Sequence, residues 1–219
     1  MSGDGLIRPS GYRKAQRALK IAARLGLPVL TLLDGPGAAV GEEADGDGIA
    51  YWLAETFAAL LEQPTLVVSL VVGQGSSGGA IALAAAERLY MLERSIFTVI
   101  SPEGAAAIIS RDADVAPEWA EALRLTAADA AKLGLVDGVI PEPRGPQRVA
   151  RSLRVRRVKA VLDDACSDLW QYDAATLPRR RRERFLSATR SLTSIHETDE
   201  TRVRSVSPET ANDDLKDIA

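Results

Sequence analysis

Val71 to Ala86, VVGQGSSGGAIALAAA, is the stretch whose reading decides the fold. An apolar run of strand length, Thr65 to Val72, enters a glycine- and serine-rich turn over Gly73 to Gly79, which feeds a small-residue helix, Ala80 to Ala86. Glycines permit positive φ and let a ligand come close to the backbone, and the first turn of a helix leaves N–H groups without intrahelical partners. Such a segment suits negative charge, whether phosphate or oxyanion. Its plain alternative is a tight turn packed for its own sake.

Upstream, Gly11 to Leu25 sets Tyr12, Ala15, Leu19, Ala22 and Leu25 on one helical face, and Gly26 stops the helix. Pro28 to Leu33 is a short strand closed by Asp34-Gly35-Pro36-Gly37, and an acidic loop leads to a helix over Ile49 to Glu62 with Asp47 available as its cap. Downstream, Arg88 to Leu92 and Ile96 to Ile100 read as strands, Pro102 to about Ile109 and Pro117 to Leu123 as helices. Thr126 to Asp129 resembles a capping box for a helix ending at Gly134, before a last strand over Leu135 to Ile140. This alternation predicts an α/β fold with parallel strands, and continuously apolar strands predict a sheet covered on both faces.

Pro141 to Pro146 marks a boundary, giving a first domain over 1–145. The region 146–195 holds two basic helices, Val149 to Leu162 and Leu177 to Leu192, whose Val155, Val158, Leu162, Phe185 and Leu192 suit docking on the domain or on another subunit. Residues 196–219 are polar, acidic and aperiodic, as in a disordered tail.

A net charge of -3 in 219 residues argues against a dedicated nucleic-acid binder, and the arginines of 144–184 lack interleaved aromatics. One Cys, Cys166, and one His, His196, exclude a zinc site or a disulfide made within this chain, so the expected compartment is the reducing cytoplasm. The N-terminal residues lack the apolar core of a signal peptide, and no apolar run approaches the ~20 residues needed to cross a bilayer, so no membrane role is expected.

The central turn admits three chemical readings. Gly73, Gly75 and Gly78 satisfy G-x-G-x-x-G, but no acidic residue follows to hold a ribose and no Gly-Lys-Ser/Thr follows for a P-loop. Gly75 to Gly79 fits the G-x-S-x-G elbow with Ser77 as nucleophile, yet the only histidine lies in the tail, and Lys14, Lys20 and Lys132 read as solvated. The third reading uses backbone alone: the amides of Gly78, Gly79 and Ala80 converge on an oxyanion, each donor contributing roughly 3 kcal/mol where water is excluded. Gly37-Ala38, at the same edge of a parallel sheet, supplies a second set of donors.

Five segments then form a pattern: Asp34 to Ala38, Glu42-Glu43 before a helix, Gly73 to Ala80, Ile100 to Ala105, and Leu133 to Asp137. With Arg8 to Ala15 and Leu177 to Ser191 they resemble the alpha-type carboxyltransferase subunit of biotin-dependent acetyl-CoA and acyl-CoA carboxylases, in the ClpP/crotonase superfamily. The resemblance implies a spiral of ββα units with C-terminal helices. It implies transfer of a carboxyl group from carboxybiotin, on a separate biotin carboxyl carrier protein, to acetyl-CoA or another acyl-CoA. It places a biotin-side oxyanion hole at Gly78, Gly79 and Ala80 facing Gly37 and Ala38, with Gly75, Ser76 and Ser77 also lining the biotin site. The enolate hole, and any zinc, belong to a beta-type subunit, in a heterotetramer of two chains of each type.

Two departures from the family pattern stand out. The usual N-terminal strands are missing before Arg8-Pro9, from truncation or because another chain or domain supplies them, and Ala39-Val40-Gly41 is a short loop where the family has an aromatic residue. Two other functions fit the same residues: a crotonase-type hydratase or isomerase with Glu103 as its acid/base group, and a non-catalytic carboxyltransferase-like partner subunit.

Overall fold

A computed structural model describes residues 5–144 and 147–187; His196, Leu192 and the 196–219 tail lie outside them. α1 (Pro9–Leu25) begins with proline at its first position and ends at Gly26 with φ 65. Its inner face carries Tyr12, Leu19 and Ala22, whereas Leu25, expected on that face, is 64% exposed. β1 (Val29–Gly35) leads through the Gly37-Ala38 turn to a short helix, α2 (Glu42–Gly46), where the sequence suggests only an acidic loop. α3 (Ile49–Leu61) follows; its N-cap is Gly48 in the left-handed region, not Asp47.

β2 (Val67–Ser76) is the central strand, and it runs longer than expected. Gly73 to Ser76 belong to the strand and not to a turn, because Gln74, Gly75 and Ser76 pair with β4 (Ile96–Thr98). Helix α4 (Ser77–Leu83) therefore starts at Ser77 and stops before Ala84, instead of spanning Ala80 to Ala86. β3 (Arg88–Leu92) pairs with the first half of β2, so β3 and β4, consecutive in the chain, share one side of it. β1 lies on the other side, and β5 (Gly138–Ile140) pairs with β3. All these strands are parallel, in the order β1-β2-β3-β5 with β4 on β2.

After β4, α5 (Pro102–Ala105) is capped by Ser101, whose Oγ accepts from the Gly104 amide at 3.0 Å. It widens into a π-turn over Ala106–Ser110, followed by α6 (Ala116–Ala122). α7 (Ala127–Lys132) starts on the expected cap: Thr126 Oγ1 accepts from the Asp129 amide at 3.2 Å.

The face of β2 carrying Val68 and Leu70 is covered by α8 (Gln147–Leu169) and the helix over 176–187, α9. Leu162, Ala165, Leu169 and Leu177 pack on Leu66 and Val68, and Val158 packs on Leu70 and Ile140. Val155 stays 61% exposed. β1 departs from the expectation of a sheet covered on both faces: as the edge strand it leaves Leu30 and Leu32 exposed at 47% and 59%.

Arg181 of α9 is the tie between the basic helices and the rest. It is fully buried, and its Nη2 donates to Glu87 Oε1 at 2.6 Å. It also donates to the carbonyls of Leu60, Leu61, Gln63 and Thr65, so it caps the C-terminal end of α3. Asp137, the last residue of the Leu133-to-Asp137 segment, has a structural part as well. Its Oδ2 accepts from the Leu89 amide at 2.8 Å and from Arg184 Nη2 at 2.9 Å, tying β3 to α9.

Candidate functional site

The site begins with how β1 ends. Asp34 Oδ1 accepts from the Gln74 amide at 3.2 Å, and a Cβ on residue 73 would collide with that carboxylate, which accounts for Gly73. The β1–β2 register shifts between Leu33 and Gly35, so Gly35 pairs with Gly75 and the chain beyond it swings over the end of β2. The segment ahead of α1 then fixes the turn. The Ile7 amide donates to Gly37 O at 2.8 Å, and the Ala39 amide donates to Ile7 O at 2.9 Å.

In an extended segment successive amides face opposite ways. The Ala38 nitrogen accordingly lies on the far side from Ile7, 2.9 Å from the point where a Cβ on Gly79 would stand. At the same point Tyr12 Oη is 2.7 Å away and Gly37 C is 3.1 Å away. Reciprocally, a Cβ on Gly37, whose φ is +131, would meet Ser77 Cβ at 2.9 Å and Ser76 O at 3.2 Å. The two turns are thus in backbone contact, and residues 37 and 79 must be glycine for that contact to exist.

Of the residues singled out in the sequence, Gly37, Ala38, Ser76, Ser77 and Gly79 come together here. Gly78 instead faces Leu53 of α3, at 3.4 Å from a built Cβ, and Gly75 is a buried strand residue against Phe97. Ala80 is one residue inside the contact. A helix that starts at Ser77 engages the Ala80 amide with the Ser76 carbonyl, which leaves Ser77, Gly78 and Gly79 as the first-turn donors. Ser77 itself has φ 64, unusual for a residue with a side chain, and this puts the strand-to-helix corner into the left-handed region.

Among the described residues, none of the candidate bases is placed beside Ser77. Lys14 and Lys20 are exposed, and Lys132 is 79% exposed beside Asp129. Glu103 is exposed in the first turn of α5. Among the described residues no group of three or more His, Cys, Asp or Glu is placed to hold a metal ion, and no helix is long and apolar enough to cross a membrane.

Beyond the place of Tyr12 on the inner face of α1, nothing in the residue pattern signals the environment of its Oη. Tyr12 is 0% exposed, and burial pushes its hydroxyl up from 10.0 to about 12. An unfolded chain loses this proton first as pH rises. The wild-type chain should therefore lose stability relative to Tyr12→Phe between pH 10 and pH 12, by about 2–3 kcal/mol at the upper end, with a flat difference below pH 10. Denaturant titrations of the two proteins across that range measure it.

The all-parallel α/β fold is shared with solved structures of a transcarboxylase 12S and of a Pseudomonas malonate decarboxylase. Residues 3–189 match the family described as acetyl co-enzyme A carboxylase carboxyltransferase-like, and the chain belongs to that family. It is 46% identical over 188 residues to the acetyl-coenzyme A carboxylase carboxyl transferase subunit alpha of Methylobacterium nodulans, an alignment covering 86% of this chain and 59% of that one. It is also 46% identical over 181 residues to the carboxyl transferase subunits beta/alpha of Salinispora tropica, covering 83% of this chain and 32% of that protein. The chain thus spans 59% of the length of the alpha subunit it matches.

Among solved structures, a Pseudomonas malonate decarboxylase hetero-tetramer in complex with coenzyme A shares the fold at TM-score 0.69 and 21% identity, over 89% of this chain and 79% of the other. The beta subunit of Pseudomonas aeruginosa geranyl-CoA carboxylase does so at TM-score 0.61 and 20% identity, over 80% and 34%.

Proposed function

We propose that this chain is the alpha-type carboxyltransferase component of a biotin-dependent acyl-CoA carboxylase, transferring a carboxyl group from carboxybiotin to acetyl-CoA or another acyl-CoA. The observation that carries the proposal is the glycine-enforced contact of Gly37-Ala38 with Ser77 to Gly79, within a chain of this family. Backbone amides brought side by side by this contact, with no side-chain base next to them among the described residues, suit the ureido oxygen of a biotin presented at the edge of the contact. The Ala38, Gly78 and Gly79 amides would hold its oxygen, with Gly37, Ser76 and Ser77 shaping the walls and Gly75, buried against Phe97, behind them. When bound, biotin supplies the nitrogen that carries the carboxyl group and then accepts the proton from the acyl α-carbon.

The residues of this chain do the rest by position. Amides fixed by β2, α4 and the Ile7 bridge need no reorganisation when negative charge develops before them, and buried Tyr12 with Trp52 and Leu53 backs the contact with apolar surface. Acyl-CoA and its enolate hole are assigned to a beta-type subunit, and delivery of biotin to a biotin carboxyl carrier protein, all acting in the cytoplasm. The fused beta/alpha relative supports a beta-type partner. The assay is decarboxylation of malonyl-CoA in the presence of biotin by this chain mixed with a beta-type subunit. Turnover above that of the beta-type subunit alone is expected, and a stable complex without turnover would point to a non-catalytic partner.

In the same assay Ser77→Ala should keep at least about a third of the wild-type rate, since the change removes a hydroxyl and keeps the amide. A fall of about 10³-fold or more would restore Ser77 as nucleophile.

A further inference from the structure

Two buried hydroxyls have no hydrogen-bond partner among the described residues, Tyr12 Oη and Ser76 Oγ, and both belong to segments that meet at the contact of the two turns. Tyr12 is 0% exposed and Ser76 3%. A buried polar atom without a partner is unfavourable, and a phenylalanine would supply the same ring packing without it. The ring of Tyr12 packs with Ala44, Ile49, Ala38, Trp52 and Leu53, so packing accounts for the ring and leaves the hydroxyl unexplained. The position of that hydroxyl is specific. It lies 2.7 Å from the point at which the Ala38 nitrogen lies 2.9 Å away, on the Cα of Gly79.

Resting on the reading of this contact as the amide site, we infer that Tyr12 is a positioning residue for it. The hydroxyl sets the separation of Gly79 from Ala38 and points its O–H dipole at negative charge gathered by their amides. Because the O–H has no ground-state partner, turning its proton toward that charge breaks no existing hydrogen bond. Its contribution therefore appears in the transition state more than in the resting protein. It acts through the amides and does not itself touch substrate, since its atoms are sealed from solvent.

The test compares wild type, Tyr12→Phe and Gly79→Val in complex with a beta-type subunit, using malonyl-CoA and free biotin as probes and reading kcat, KM for biotin and thermal midpoint. Tyr12→Phe should lower kcat about tenfold, leave KM for biotin within about twofold, and leave the midpoint unchanged or raised. Unchanged kcat in Tyr12→Phe, with Gly79→Val inactive, overturns the role of Tyr12 alone. A lowered midpoint that tracks the lost activity overturns it too, by showing a purely structural part. Full activity in Gly79→Val removes the amide site itself, and the positioning role with it.

Discussion

Arg181→Met lowers the stability of the chain by about 3–5 kcal/mol, with a fall in thermal midpoint of about 10 °C. The guanidinium is fully buried beside Glu87, which is 2% exposed on its side chain. Taking away one partner leaves a buried carboxylate whose remaining donor among the described residues is the Val67 amide, at 2.8 Å. It also removes a donor from four carbonyls, Leu60, Leu61, Gln63 and Thr65, at the end of α3 and the entry to β2, although Leu60 keeps the Gln63 amide. For that second reason Arg181→Met with Glu87→Leu should recover only part of the loss, although an isolated buried ion pair is often replaced by apolar residues at no cost. Arg182, next in sequence and paired with Glu62 at 47% exposure, serves as the control: Arg182→Met should change stability by less than about 1 kcal/mol. Denaturant midpoints of the four proteins measure both effects.

On the proposed function, Gly79→Val reduces carboxyltransferase turnover by at least about 10³-fold while the chain still assembles with a beta-type subunit. The new Cβ would stand 2.7 Å from Tyr12 Oη and 2.9 Å from Ala38 N, distances that real Cβ atoms do not adopt, and one of the two neighbours is backbone. Something must move, and the Gly37-Ala38 turn, held by its bridge to Ile7, is the lighter side. Withdrawing one preorganised oxyanion donor costs a reaction roughly 3–4 kcal/mol, and separating the turns misplaces donors on both sides. Gly79→Ala carries the same Cβ without the branches and should be impaired in the same direction. Partner binding measured alongside turnover distinguishes this effect from unfolding.

The order of elements was legible because Pro28 to Leu33, Thr65 to Val72 and Arg88 to Leu92 are apolar runs of strand length separated by helical periodicity. The end of β2 was not, since Gly73 to Ser76 are poor strand formers that become strand only through pairing with Ile96 to Thr98. That extension moves the helix start to Ser77 and with it the first-turn amides, a displacement that local propensity does not encode. The pairing of Gly37-Ala38 with the central turn was visible as two glycine-bearing strand ends on one sheet edge. Which residues touch depends on the register shift at Leu33 and Gly35. Arg181 was hidden among Arg179 to Arg182, where four identical side chains give no sign of which one is buried. The exposed Leu30 and Leu32 read as core because an edge strand and a central strand share the same composition.

The central claim is that backbone amides held together by Gly37 and Gly79 do the work and that no serine side chain takes part. The most direct measurement is biotin-dependent malonyl-CoA decarboxylation by the complex with a beta-type subunit, with Ser77→Ala and Gly79→Val run side by side. An active Ser77→Ala and an inactive, correctly assembled Gly79→Val are the predicted pair. An inactive Ser77→Ala with an active Gly79→Val would contradict the account.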